Sequence, residues 1–128
     1  KQAGRGASII NVGSIAGRYP YPGGNVYGSS KAFVRQFSYE LRTDLAGSDI
    51  RVTSFEPGMA KSEFMKVRSY GDGDANEKFY EDVEPILPED VADIIWFLAT
   101  LPPHLNVNSM ELMPLIQVPA IPKILRKS

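Results

Sequence analysis

The strongest constraint on the fold is the alternation of short apolar runs with longer stretches of helical periodicity. Residues 7–12 are apolar, rich in β-branched side chains and bounded by glycine, which predicts a buried strand. Residues 50–55 and 107–113 predict two further strands. The stretches between these runs are long enough for right-handed helical crossovers, so the strands should pair in parallel. The chain therefore predicts an α/β fold with a parallel sheet.

The first helical stretch begins near Asn25, where the apolar residues change to spacings of three and four. Asn25 is the predicted N-cap of this helix, and Gly47 is its predicted stop. The predicted apolar stripe consists of Val26, Phe33, Val34, Phe37, Leu41 and Leu45.

A second helix should begin at Pro88, because proline suits the first helical position and the acids that follow it suit the positive end of the helix dipole. The Trp-Phe-Leu sequence at 96–98 is expected to pack this helix against its neighbours. A short helix is predicted over 61–67 and an acidic loop over 70–84.

The amino-acid composition limits the kinds of partner and site that the chain is expected to have. The 128 residues suffice for one domain, and 14 Lys plus Arg against 15 Asp plus Glu give a net charge of −1. We therefore expect neither nucleic acid nor a membrane as a partner. The chain has no cysteine for a disulfide, a thiolate nucleophile or a metal, and one histidine, His104, is too few for a metal site. The lack of cysteine is compatible with a reducing compartment, and the cytoplasm is the expected location.

Tyr27 and Lys31 form the first part of a candidate catalytic site. They are four residues apart, which places both side chains on one face of the helix, roughly 6 Å apart along its axis. A phenol with an unperturbed pKa of about 10 is a poor acid or base at neutral pH, but a nearby ammonium favours the phenolate. The pair therefore indicates a group that can donate and accept a proton.

Ser14 and the pair Pro57-Gly58 end the first two predicted strands. Ligands of parallel sheets bind beyond the carboxyl ends of the strands, so these residues should share one edge with the start of the Tyr27 helix. Ser14 is able to donate a hydrogen bond to a carbonyl there. Such a site exchanges a proton with a carbonyl/alcohol pair, and a nicotinamide is implied as the hydride donor because no side chain donates one.

Each part of this site also has an ordinary structural interpretation. Tyr27 fits a half-buried aromatic, Lys31 a solvated charge, Ser14 a local backbone cap and Pro57-Gly58 a turn. The order and spacing of the four parts together favour the catalytic interpretation.

These motifs resemble those of the short-chain dehydrogenase/reductase family, over about residues 7–113. The resemblance rests on Ile-Ile-Asn-Val-Gly-Ser-Ile-Ala-Gly at 9–17, Tyr-Gly-Ser-Ser-Lys-Ala at 27–32, Arg-Val-Thr at 51–53 and the Pro57-Gly58 pair. The segments 23–27, 31–38, 101–104 and 106–108 are similar to the branch of NADP-dependent 3-hydroxy acid (serine-type) dehydrogenases.

The resemblance implies a doubly wound, Rossmann-like parallel sheet and hydride transfer between NADP(H) and a small 3-hydroxy acid or related alcohol. It implies that Ser14 orients the substrate carbonyl, Tyr27 is the acid/base and Lys31 hydrogen-bonds the nicotinamide ribose. The residues implied around the nicotinamide are Pro57, Gly58, the backbone of Ala60 and the hydroxyl of Ser62. NADP is expected from the branch, with NAD open as an alternative because the selecting residue is not in the chain.

The family's glycine-rich cofactor loop, its ribose selector and its Asn-Ala-Gly motif precede the catalytic serine, and these 128 residues contain none of them. We therefore expect residues 1–113 to be the C-terminal catalytic half of a single Rossmann-like domain whose N-terminal cofactor half is absent. Residues 114–128 are expected to be an irregular tail or arm. The natural polypeptide should be longer, and the 128 residues alone should bind the dinucleotide poorly and turn over little. Two alternatives stay open: a truncated, inactive homologue that acts as an interaction module, and the extended branch that acts on sugar nucleotides.

A hydroxy acid needs a cation for its carboxylate, and Arg68 offers a bidentate fork for it. Lys66 is a weaker candidate, and the region that follows is expected to close over the substrate as a lid. Residues 72–76 are similar to the start of a calcium loop. However, Glu77 occupies the position that needs glycine and Val83 the position that needs a bidentate glutamate, so we expect no metal.

The apolar stripe of the first helix and the small residues 28–30 are consistent with close packing against a second subunit. In the family that the chain resembles, the helix after the catalytic tyrosine often packs in this way. A homodimer or homotetramer with a small-molecule substrate is therefore expected.

Overall fold

The computed structural model describes residues 6–68, 70–71 and 73–119. Its strands form a parallel sheet in the order β1-β2-β3, which confirms the predicted fold class. In chain order the elements are β1 (Ser8–Val12), a 3-10 turn (Ile15–Gly17), α1 (Asn25–Asp44), β2 (Arg51–Pro57), α2 (Phe64–Arg68), α3 (Gly73–Phe79), α4 (Pro88–Ala99) and β3 (Ser109–Leu112).

β2 is the central strand and forms the core of the sheet. It pairs with β1 on one side and β3 on the other, so that Ser54 lies between Asn11 and Ser109. Every residue from Arg51 to Glu56 is buried. The alternation of apolar and polar residues in this strand therefore does not indicate a solvent-exposed face, because both faces of a central parallel strand are covered.

Arg51 is a charged residue at the start of β2, and it is buried. Its guanidinium donates hydrogen bonds to the carbonyl oxygens of Leu101, Ala99 and Gly6 at 2.7, 2.8 and 3.1 Å. Ala99 is the last residue of α4, so Arg51 satisfies carbonyl groups at the end of that helix. This side chain thereby ties β2 to α4.

α1 begins one position away from the predicted cap. Gly24 is the N-cap, and Asn25 is the first helical residue, whose Oδ1 accepts a hydrogen bond from the Val26 amide at 2.7 Å. A Cβ at position 24 would lie 2.5 Å from the ring of Tyr21, so this position takes a glycine. The prediction of Asn25 as the N-cap is wrong for this reason. Beyond the other end of the helix, Gly47 has a φ of +78°, as expected of a helix stop.

The stretch between β2 and α4 is more helical than predicted. α2 covers 64–68 rather than 61–67, and the predicted acidic loop contains α3. The Tyr80 hydroxyl, just beyond α3, donates a hydrogen bond to the Ala60 carbonyl at 2.8 Å. This contact across the chain anchors α3, and local composition does not reveal it. Asp72, where the calcium-like string begins, lies outside the described residues.

α4 begins at Pro88 as predicted, and Asp90 Oδ2 accepts a hydrogen bond from the Leu87 amide at 2.8 Å. Leu98 is buried, but Trp96 and Phe97 are exposed, so the predicted packing of these two rings is wrong. Successive side chains of a helix point about 100° apart. Because Leu98 faces the core, Trp96 and Phe97 point towards solvent.

Residues 114–119 of the predicted tail contain neither helix nor strand, and 120–128 lie outside the described residues. Within the described ranges, no helix combines the length and the apolar character that crossing a membrane requires. The same part of the chain holds no cluster of three or more His, Asp or Glu suited to a metal ion.

The 3-10 turn and α1 touch through their backbones. A Cβ on Gly17 would lie 2.6 Å from the carbonyl carbon of Lys31, and a Cβ on Gly28 would lie 2.9 Å from the carbonyl oxygen of Ala16. Both distances are too short for a side chain, so glycine at the two positions lets the turn and the helix approach. This approach sets the separation between Ser14, just before the turn, and the side chains of α1.

We expect Gly17→Ala to lower the free energy of unfolding of the full natural polypeptide by about 1–3 kcal/mol, because the added methyl group overlaps the backbone of α1. Gly73→Ala is the matched control, since no atom lies within 4 Å of a Cβ built there. Denaturant unfolding measures both variants. Equal stability of the two would contradict the close contact.

Candidate active site

A cavity of about 720 Å³ lies at the carboxyl ends of β1 and β2. This is the edge at which parallel sheets bind ligands. The start of α1, α2 and the segment after β3 complete its wall. Eight of the residues that the sequence analysis singled out lie in this wall: Ser14, Tyr27, Lys31, Pro57, Gly58, Ala60, Ser62 and Arg68.

Ser14 is buried and caps the 3-10 turn. Its Oγ accepts a hydrogen bond from the Ala16 amide at 3.1 Å. A hydroxyl has one donor and two acceptor positions, so this bond leaves the Ser14 proton available to the cavity. The local cap and the catalytic interpretation are therefore compatible in one side chain.

Tyr27 and Lys31 lie on the face of α1 that lines the cavity. The Lys31 Nζ is 3.4 Å from the carbonyl oxygen of Val12 and 5.7 Å from the centroid of the Tyr27 ring. The Tyr27 ring packs against Phe64 of α2, with the ring centroids 5.1 Å apart. The carbonyl group at the end of β1 thus holds the ammonium beside the phenol, and Phe64 restrains the phenol ring.

The loop after β2 is held by a residue from far along the chain. Gln117 Oε1 accepts a hydrogen bond from the Met59 amide at 2.8 Å, and it fills the space that a Cβ on Gly58 would need. Nearby, Ser62 Oγ accepts a hydrogen bond from the Phe64 amide at 3.2 Å, at the start of α2. The loop that carries Gly58 and Ser62 is therefore fixed at both ends.

Arg68 supplies a positive charge to the cavity wall. Its Nη1 donates a hydrogen bond to the Tyr21 hydroxyl at 3.4 Å, and its guanidinium carbon lies 5.5 Å from the centroid of that ring. Lys66, the weaker candidate, lies outside the wall of the cavity. The tyrosine orients the guanidinium while the side chain stays exposed.

The described wall includes four tyrosines, and one of them is set apart by its electrostatics. A hydrogen bond to Glu111 raises the pKa of the Tyr19 phenol. A phenol beside a carboxylate resists ionisation, because the phenolate would add a second negative charge. Tyr19 is therefore harder to ionise than an unperturbed tyrosine.

Sequence reasoning missed several residues that shape the site. Tyr21 was detectable, because the Tyr-Pro-Tyr-Pro string at 19–22 places aromatic rings directly after the Ser14 turn. Tyr80 and Gln117 come from stretches predicted to be irregular, and no local pattern distinguishes them. Only the tertiary fold brings these two side chains to the loop after β2.

Comparison with known proteins shows which family the chain is similar to. A family model described as short chain dehydrogenase matches residues 1–72, more than half of the chain. Sulfoacetaldehyde reductase 2 of Chromohalobacter salexigens is 56% identical over 113 residues, which cover 88% of this chain and 45% of that protein. The NADP-dependent 3-hydroxy acid dehydrogenase YdfG of Escherichia coli is 54% identical over 110 residues, which cover 85% of this chain and 44% of that protein.

Among solved structures, the closed form of serine dehydrogenase complexed with NADP+ is similar, with a TM-score of 0.90 and 50% identity. The match covers 94% of this chain and 49% of that one. The chain thus spans about half the length of the relatives that it matches. The parallel sheet and the cavity lined by Ser14, Tyr27 and Lys31 agree with the family match over residues 1–72. The chain therefore belongs to the short-chain dehydrogenase family.

Proposed function

We propose that the natural polypeptide carrying these residues is a cytoplasmic oxidoreductase that transfers a hydride between NADP(H) and a small 3-hydroxy acid or related carbonyl compound. In this proposal residues 1–113 are the C-terminal catalytic half of one Rossmann-like domain, and residues 114–128 are a tail. The observation that carries the proposal is the convergence of Ser14, Tyr27 and Lys31 on one cavity. The names of the similar proteins, an NADP-dependent 3-hydroxy acid dehydrogenase and a sulfoacetaldehyde reductase, support the reaction class.

Tyr27 is the proposed acid/base. The Lys31 ammonium lies 5.7 Å from its ring centroid, and both side chains line the same cavity. The phenol therefore gives its proton to the substrate oxygen during reduction and takes one from the alcohol during oxidation. Ser14 donates a hydrogen bond to the same oxygen and stabilises the negative charge that develops on it.

The cavity fits the nicotinamide end of NADP(H), which supplies or accepts the hydride when it is bound. The wall is mostly apolar with a few polar groups at fixed positions, which suits an aromatic ring with one amide. The loop that carries Gly58 is held by Gln117, so this part of the wall is formed before a ligand enters. The proposed contacts are Lys31 for the ribose and Pro57, Gly58, the backbone of Ala60 and the Ser62 hydroxyl for the nicotinamide and its amide.

Arg68 is the proposed contact for the anionic group of the substrate. Its guanidinium is held against Tyr21 in the cavity wall. A 3-hydroxy acid presents a carboxylate and sulfoacetaldehyde presents a sulfonate, and both accept charge-assisted hydrogen bonds from a guanidinium. One cation therefore serves either class of substrate.

We also propose that α1 packs against a second copy of the chain in a homodimer or homotetramer. Val26 is 79% exposed and Phe33 is 69% exposed on this helix. Phe33 and Phe37 stack with centroids 6.0 Å apart and form a continuous apolar surface. A surface of this kind is typical of a protein–protein contact.

Tyr27→Phe should lower kcat/KM for NADPH-dependent reduction about 100- to 10,000-fold in the full natural polypeptide. The substitution removes the proton-transfer group but keeps the ring that packs on Phe64. The absorbance of NADPH with a 3-oxo acid as substrate measures the rate, and circular dichroism checks the fold.

Tyr70→Phe is the control for this experiment, because that side chain is fully exposed. It should keep the activity of the unsubstituted protein. A Tyr27→Phe variant that retains most of its activity would refute the acid/base assignment. Absence of NADPH-dependent turnover in the unsubstituted protein would instead favour the inactive interaction module.

Arg68→Met should raise the KM of a 3-hydroxy acid about 10- to 100-fold, because a charged hydrogen bond contributes about 1.5–3 kcal/mol. A neutral alcohol of similar size should be oxidised as before, which separates anion binding from general damage. Lys78→Met serves as the control, since it removes an exposed cation on α3. An equal loss on acid and neutral alcohol would contradict the proposed contact.

Phe33→Glu should shift the full natural polypeptide towards a smaller species in light scattering coupled to size-exclusion chromatography. The carboxylate would be buried without a partner in the proposed contact, and this is strongly unfavourable. Leu105→Glu, at an exposed position in the loop after α4, is the control and should leave the mass unchanged. Identical masses for both variants would argue against packing through α1.

A further inference from the structure

Behind the cavity, Glu56 places a carboxylate with 0% exposure near the end of β2. Its Oε2 accepts a hydrogen bond from Arg18 Nε at 3.0 Å, and Arg18 Nη2 lies 2.9 Å from the same oxygen. Arg35 Nη1 of α1 lies 3.9 Å from Oε1. Burial of a carboxylate is strongly unfavourable unless cations compensate it, so these arginines are necessary partners of Glu56.

The 3-10 turn that follows Ser14 is attached to β2 at both ends. Before the turn, the Gly13 amide donates a hydrogen bond to the Phe55 carbonyl at 2.7 Å. After the turn, Arg18 binds Glu56, the next residue of the same strand. Two consecutive residues of a buried strand therefore fix the segment that carries the serine.

Arg35 provides a third attachment, between this turn and α1. Its Nη1 donates a hydrogen bond to the Gly17 carbonyl at 2.6 Å, and the same nitrogen faces Glu56. Arg35 lies one helical turn beyond Lys31. The buried carboxylate therefore connects the serine turn with the helix that carries the lysine.

We propose that Glu56 is a positioning residue for Ser14: through Arg18 it holds the serine hydroxyl at the place where the substrate oxygen binds. This inference rests on the proposed function, because it requires the hydroxyl of Ser14 to act on the substrate. Glu56 is not among the residues that line the cavity, and its carboxylate binds Arg18 instead. Its effect on the rate therefore passes through Ser14.

A double-mutant cycle in the full natural polypeptide tests this inference, with kcat and KM as the readouts. Glu56→Gln removes the charge with little change in shape, and it should lower kcat about 10- to 100-fold while the KM of NADPH stays within about threefold. In a Ser14→Ala background, the same substitution should change kcat by less than about threefold, because no hydroxyl remains to be misplaced.

Arg51→Gln is the matched control. Arg51 is also a buried charge on β2, but it lies at the opposite end of the strand and binds the end of α4. Its substitution should lower stability and change kcat by the same factor with and without the Ser14 hydroxyl. If Glu56→Gln is likewise independent of Ser14, its role is structural only and the inference is overturned.

If Glu56→Gln does not fold, Arg18→Lys and Arg18→Met take its place in the cycle. Lysine keeps the charge beside Glu56, so Arg18→Lys should retain more kcat than Arg18→Met when Ser14 is present, and equal kcat for the two would overturn the inference. The Ser14→Ala variant alone distinguishes failure of the proposed function from failure of the inference about Glu56. If it leaves kcat unchanged, the proposed function fails and the inference fails with it, whereas a loss with independent effects of Glu56 overturns the inference alone.

Discussion

A direct contact between two stretches of backbone is the constraint on which the cavity depends. Gly17 meets the backbone of Lys31, and Gly28 meets that of Ala16, with no room for a side chain at either point. Peptide groups are rigid and planar, so such a contact sets a distance more closely than flexible side chains do. Ser14 lies on one side of this contact, and the face of α1 that carries Tyr27 and Lys31 lies on the other. Their relative position is therefore a property of the main chain.

The rest of the wall is irregular, and hydrogen bonds to distant residues keep it in place. Gln117 holds the Met59 amide, and Tyr80 holds the Ala60 carbonyl. On the other side, Glu56 holds the turn after Ser14 through its arginine partners. The loops of the site thus depend on segments that follow them by 20 to 58 residues. Part of the cavity wall therefore comes from the segment beyond β3.

The sequence predicted what depends on local periodicity and missed what depends on tertiary contacts. The alternation of strands with helices and the four-residue interval between Tyr27 and Lys31 follow from the periods of strands and helices, so both were accessible. Tyr80, just beyond the helix found in the acidic loop, binds the distant Ala60 carbonyl, and Gly24, the cap of α1, lies against the ring of Tyr21. In the sequence, Glu56 is a polar residue at the end of a predicted strand. Its complete burial follows from the central position of β2 in the sheet, which the sequence does not show.

The four tyrosines of the described cavity wall differ in their surroundings rather than in residue type. The hydroxyl of Tyr80 donates to a backbone carbonyl, and that of Tyr21 accepts from a guanidinium. Tyr19 lies beside a carboxylate that raises its pKa and keeps it protonated. Tyr27 instead packs on Phe64, and the Lys31 ammonium lies 5.7 Å from the centroid of its ring. Because that ammonium comes from the next turn of the same helix, the four-residue spacing in the sequence already identifies Tyr27 as the wall tyrosine paired with a lysine, which is the pair that the proposed acid/base role requires.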